Sequence, residues 1–305
     1  MTDPRELYQF EAEVADSQAE VLVVALAGFI DAGAAGRLAS EHLMCSSDPH
    51  VVARFDLDSL YDYRARRPPM LFVEDHWESY EQPELTVSRL TDSAGKPFLL
   101  LTGPEPDFRW EAFVAAIACL MDDLGVRLTI GLNAIPMAVP HTRPVGITAH
   151  ATRPDLVDRY EPWVQRVQVP SSAAHLLEFR LGSQGRDAIG FAAHVPHYLA
   201  QGEFPSAAMR LLQSVEEASG LALPLDRLRE TAEQVKRELD EQVAASDDVS
   251  GVVSSLEEQY DAFVRGSGRD LLSTPNGPLP SADELGAEFE KFLAEQTPDK
   301  GEQPN

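Results

Sequence analysis

Apolar positions along the chain gather into short runs parted by charged or Gly/Pro-rich segments. EVLVVALAGF (residues 20–29) is a nearly continuous, β-rich run reaching Gly28, and DAGAAGRLASEHL directly behind it is Ala-rich with helical spacing. That order predicts a strand, a tight turn and a helix beginning after Asp31. The alternation recurs. HVVARFDL predicts a strand, KPFLLLTGPEPD a buried strand that breaks into a Gly-Pro loop, and WEAFVAAIACLMDDLG an amphipathic helix stopped by Gly125. VRLTIGLNA and VGITAHAT follow as strands, SSAAHLLEFRLGSQG as a helix, DAIGFAAHV as a strand, and PSAAMRLLQSVEEASG as a helix ending at Gly220. Strands separated by helices at this spacing predict an α/β fold, a three-layer αβα sandwich around a mainly parallel or mixed sheet.

Beyond Pro224 the period becomes purely helical. Leu225, Leu228, Ala232, Val235, Leu239 and Val243 recur three and four apart with charges between them. A second helix over about 254–264 and a third over about 281–295 follow, joined by GSGRDLLSTPNGPLP. The organisation predicted is an α/β core over 1–220, a helical extension over 221–295 packed on the core or on another subunit, and a disordered tail over 296–305.

Charge narrows the function. The 305 residues carry 50 acidic against 25 basic side chains, a formal net charge of −25, which opposes nucleic acid and anionic membrane surfaces as partners. Cys45 and Cys119 are the only cysteines, too few for a disulfide framework or a cysteine zinc site. No amino-terminal signal pattern opens the chain and its apolar runs are too short to span a bilayer, so a cytoplasmic location is expected.

Candidate chemistry is sparse. GFIDAGAAG places glycines ahead of a helix, as anion-binding turns do, but Gly28, Gly33 and Gly36 fit neither a P-loop nor a dinucleotide fingerprint, and Asp31 reads as a helix cap or a binding residue. Arg64, Arg66 and Arg67, interleaved with Asp56, Asp58 and Asp62, either bind an anion or form an ion-pair network in a loop or subunit contact. Glu74, Asp75 and His76 are adjacent in what reads as a strand, where neighbours face opposite ways and do not converge on a metal. His194 and His197 lack a companion glutamate, Ser171 and Ser172 read as caps, and no G-x-S-x-G elbow exists. The remaining cluster is IPMAVPHTRPVGITAH (residues 135–150). With Asn133 it lies at the carboxyl end of a predicted strand, where open sheets place ligand crevices, so His141 and Arg143 suit an anion. Pro136, Pro140 and Pro144 equally suit a rigid protein-contact loop, and the residues leave the two readings even. No catalytic set, metal site or cofactor motif emerges.

Six segments taken jointly resemble the PAC2 family, the proteasome assembly chaperone 2-like proteins, in its actinobacterial branch: ALAGFIDAGAAG, DYRARRPPM, GPEPDFRWEAF, NAIPMAVPHTRPVGITAHAT, VPSSAAHLLEFRLG and HVPHYLAQGEFPSAAMRLL. LPSADELGAEFEKFLAEQ near the end is similar too. The resemblance implies a phosphorylase/hydrolase-like α/β core, a helical extension and a homo-oligomer, expected to be a homotrimer. It also implies a non-enzymatic assembly chaperone or scaffold whose partners are itself, proteasome subunits or other proteins. Members that dock in proteasome α-ring pockets end in a hydrophobic residue, Tyr and any residue; this chain ends in EQPN, so docking by that tail is not expected. The alternative is a phosphorylase-like enzyme or small-anion or nucleoside sensor, which would use the strand-end loops 103–109 and 133–143.

Overall fold

The computed structural model describes residues 3–28, 30–163 and 166–265. In chain order the elements are β1 (Tyr8–Phe10), β2 (Val21–Ala27), α1 (Ala35–Ser46), β3 (His50–Phe55), β4 (Met70–Val73), β5 (His76–Tyr80), β6 (Thr86–Thr91), β7 (Pro97–Pro104) and α2 (Trp110–Leu124). They continue with β8 (Leu128–Met137), β9 (Ile147–Ala151), α3 (Ala173–Ser183), β10 (Asp187–Pro196), α4 (Pro205–Ser219), α5 (Asp226–Ala244) and α6 (Asp247–Arg265). The predicted third helix over 281–295 and the tail lie outside the described residues.

Eight strands form one mixed sheet in the order β1-β3-β6-β7-β2-β8-β10-β9. β7, β2, β8 and β10 pair in parallel at its centre, and β9 closes one edge antiparallel to β10. Both faces of the centre are buried, which is why its strands read as unbroken apolar runs. In β2, Val21, Val23 and Ala25 face the layer of α1 and α4, whereas Leu22 and Val24 face α2 and α3. Burying a side chain of this size stabilises by about 1.5–3 kcal/mol, so the alternation commits both faces. Gly125 and Gly220 end α2 and α4 with φ of 72° and 67°, left-handed values that glycine adopts without strain.

The hydrophobic pattern missed β6, β1 and the β4–β5 pair. β6 buries Thr86, Val87 and Ser88 in succession, so polar residues sit inside and no apolar alternation shows. β1 is three residues long. The VEDHW segment, read as one strand, is instead a hairpin tip: Glu74 takes φ of 51° and the chain reverses between β4 and β5, which pair only with each other.

The predicted stripe on α5 is the face it turns inward. Leu225 and Leu228 are buried in the core with Leu239 packed against it, and Ala232 is buried too. α6 begins seven residues before the predicted start, and buries Val253 and Leu256. No helix of the described residues is long and apolar enough to cross a membrane.

Candidate functional site

The carboxyl ends of the parallel strands carry two distinct polar constructions. One is a narrow cleft between the sheet and the amino end of α3, lined by Asn133, His150, Ser172, His175, Glu178 and Glu105 and enclosing about 40 Å3. Its floor is made by register. Gly131, Gly190 and His150 are direct neighbours across β8, β10 and β9, and the absent side chains leave room for the imidazole to lie across the sheet. A Cβ on Gly190 would collide with the His150 ring at Cε1. His150 Nδ1 lies 2.9 Å from Glu178 Oε1, and the His175 ring packs edge-on at 6.0 Å. His175 Nδ1 is buried without a partner; burial first, then the neighbouring His150 charge, holds His175 below its ordinary pKa.

The amino end of α3, a natural anion seat, is already taken. Glu105 Oε1 accepts from Ala173 N at 2.5 Å and Ser172 Oγ from His175 N at 3.1 Å. Gly28 permits that approach, since a Cβ there would meet Glu105 Cβ at 2.6 Å. Asn133 Oδ1 accepts from the backbone N–H of Ala134 at 2.7 Å. Two carboxylates and an oriented imidazole suit a hydroxyl-rich or cationic group better than phosphate. The enclosed space admits a few waters rather than a nucleoside. Beyond His175 the cleft opens into a shallow groove lined by Val169, Pro170 and Phe179.

The second construction is the proline-bounded loop after β8. His141 is buried; its Nδ1 lies 2.7 Å from the Tyr198 hydroxyl, which also accepts from His141 N at 2.9 Å, and its Nε2 lies 3.2 Å from Asp240 Oδ1 on α5. One tautomer, protonated at Nε2, satisfies all three contacts. Thr142 Oγ1 donates to Glu257 at 2.5 Å. Arg143 grips α6 with a two-pronged pair to Asp261, both contacts 2.8 Å, and a third contact of 3.0 Å to Glu257. Glu257 and Asp261 stand four apart on one helix, so both carboxylates face the same guanidinium; hydrogen bonding to Asp261 raises its pKa further above the ordinary arginine value. Beside this clasp Phe263 stacks on Trp163 at 4.8 Å, and Trp163 meets the buried His194 ring edge-on at 4.4 Å. Burial pushes His194 down to about 4.

The other sequence candidates fall elsewhere. Asp31 serves the first turn of α1, accepting from Gly36 N at 2.7 Å and Arg37 N at 2.9 Å across a short 3-10 turn. Arg66 ties its loop to the next, donating to Glu105 O and Asp107 Oδ2 at 2.6 Å each, with its guanidinium over the Tyr61 ring. Arg64 and Arg67 are exposed, and among the described residues neither forms an ion pair. The structure therefore brings Asn133 to the cleft, His141 and Arg143 to the helix clasp, and the arginine cluster to a third place. His150, His175, Glu178 and Glu105 were not singled out from sequence; the signal for them was glycine inside strands, at 131 and 190, which marks close approach of another group.

This fold, with its strand-end loops and added helix pair, matches a known family. The PAC2 family model covers residues 25–243. The chain belongs to the PAC2 family. Among solved structures, the unknown-function protein Rv2714 of Mycobacterium tuberculosis is 48% identical with a TM-score of 0.81, over 85% of this chain and 92% of that one. An unknown-function protein of Corynebacterium glutamicum is 39% identical with a TM-score of 0.81, over 86% and 99%. Rv2125 of Mycobacterium tuberculosis, described as a proteasome-assembly chaperone homologue, is 29% identical with a TM-score of 0.69, over 76% and 99%. No curated protein matches the chain.

Proposed function

We propose that this PAC2 protein is a non-enzymatic assembly scaffold of the chaperone-like kind, cytoplasmic, self-associating as a homotrimer and acting on other proteins, proteasome subunits among them. The observation that carries the reading is the clasp. At the strand ends, where open α/β enzymes keep a ligand crevice, His141, Thr142 and Arg143 are spent on holding α5 and α6. This loop thereby supports a charged helical surface rather than lining a ligand pocket. The 29% identity to a proteasome-assembly chaperone homologue supports that class of partner. The test mixes purified proteasome α- and β-type subunits with the full chain and follows half-assemblies on native gels. A several-fold faster appearance of assembled particles at stoichiometric chain is expected; an unchanged rate with no co-migration at any ratio would refute the role.

The cleft supports a second reading as a small-ligand sensor, because His150 is oriented by Glu178 with its other ring nitrogen left for a ligand. A specific ligand at a hundredfold excess over its Kd stabilises the fold by about 2.7 kcal/mol. Melting curves with phosphate, nucleosides and polyols therefore decide it, and phosphate is expected to do nothing.

A further inference from the structure

The main sheet ends in two edges of different character. β1 is three residues long, too short to template a partner, whereas β9 runs five residues without a proline, a lysine or a bulge, the usual protections of an edge. His194 N donates to Gly146 O at 2.9 Å and Thr152 N to Ala188 O at 3.0 Å, so the even-numbered positions along β9 spend their backbone groups on β10. Ala149 and Ala151, both partly exposed, turn theirs outward, and among the described residues nothing bonds to that outer edge. Unbonded backbone along a strand is a template for one more strand.

The groove beside this edge has the dimensions and chemistry to take one. β9 forms one side and α3 the other, with Phe179 67% and Val169 59% exposed, and the space measures about 690 Å3. That lies within the roughly 300–1,000 Å3 of ligand sites, and five residues of strand span about 17 Å. The inner end opens into the narrow cleft, since His150, His175 and Glu178 line both. There the unspent charge is negative. Glu178 and Glu105 bring carboxylates, while the neighbouring Arg153 and Arg180 are engaged by Asp187 and Glu111. The carboxylates suit a cation, and the exposed Phe179 and Val169 suit apolar side chains. A second copy of this chain is the poorer occupant, because with 50 acidic against 25 basic residues it brings like charge to an acidic groove.

We propose that the groove between β9 and α3 binds an extended, basic and apolar peptide of another protein, added to the edge of the sheet as a further strand. A lysine or arginine of that peptide reaches Glu178, and apolar residues two positions to either side, which share its face, lie on Phe179 and Val169. The inference rests on the protein-binding reading in the proposed function and names a surface for it.

The probe is a fluorescent, end-blocked Val-Thr-Lys-Thr-Val peptide, whose valines and lysine share one face, titrated into the full chain and followed by polarisation. Saturable binding in the micromolar range is expected. Phe179→Asp should weaken it about tenfold or more. Methylating one alternate set of peptide nitrogens should abolish binding and methylating the other set should spare it, as pairing along a single edge requires. Exchanging the lysine for norleucine should weaken binding to the unaltered chain and not to Glu178→Gln, which isolates the carboxylate contact from any effect of the variant on folding. No saturable binding up to millimolar peptide, or binding indifferent to Phe179→Asp and to both methylation patterns, overturns the groove. If the probe is refused and Phe179→Asp sediments as a smaller species than the unaltered chain, a second copy fills the groove and the proposal falls. A chain that binds the probe but never speeds proteasome-subunit assembly keeps the groove and loses the scaffold role; one that speeds assembly but refuses the probe keeps the role and loses the groove.

Discussion

Two loops of this protein carry the same ingredients to opposite ends. VPHTRPV, after β8, and YRARRPP, ahead of β4, both set arginines beside prolines. In the first, Arg143 meets Asp261, which is 118 residues away in sequence, and Glu257, 114 away, because one face of α6 delivers both carboxylates. In the second, Arg66 finds Asp107 and the Glu105 carbonyl, while Arg64 and Arg67 point outward without partners among the described residues. A proline-stiffened arginine loop is thus a connector in search of carboxylates. Where the chain supplies them the loop becomes internal architecture; where it does not, its arginines stay exposed.

The largest test of that contrast dislodges the helices that complete the first loop. Leu228→Asp places an unpaired carboxylate at a position 5% exposed, and is expected to cost about 3–5 kcal/mol in denaturant unfolding. Retention of full stability would show that α5 does not depend on the core.

A comparable effect comes from pH, through His194 beneath Trp163 and α6. Its folded-state pKa lies near 4, below the 6.5 of an ordinary histidine. Between those values the unfolded chain binds a proton that the folded chain refuses, so stability is full above pH 6.5 and declines as pH falls toward 4. The whole shift corresponds to about 3 kcal/mol. His175 is shifted the same way and adds to the decline. Replacing His194 by Gln should flatten the profile between pH 6.5 and 4, read by urea midpoints; an unchanged slope would locate the acid sensitivity elsewhere.

The smallest effect compares the two arginine loops directly. Arg143→Ser is expected to lower hydrogen-exchange protection along α6 about tenfold while leaving the sheet protected. Arg64→Ser with Arg67→Ser should leave monomer stability within about 0.5 kcal/mol, since nothing in their own chain is lost. Equal responses in the two loops would erase the distinction.

The sequence by itself determined the layered core and the helical extension. β2, β7, β8 and β10 are apolar on both faces, α5 carries its stripe at a period of 3.6, and Gly125 and Gly220 stop their helices; these signals are local, so each is readable within a dozen residues. The six joined motifs carried the family as well. Only the tertiary structure decided what the polar residues do. Arg143 is indistinguishable from Arg64 until α6 folds back over it, and His150 is an ordinary strand residue until Gly131 and Gly190 come into register beside it. β6 stayed hidden because Thr86 and Ser88 are buried where a pattern reader expects polar residues to face water. Period and propensity act between near neighbours. A hydrogen bond or an ion pair across more than a hundred residues is written only in the packing that brings its two ends together.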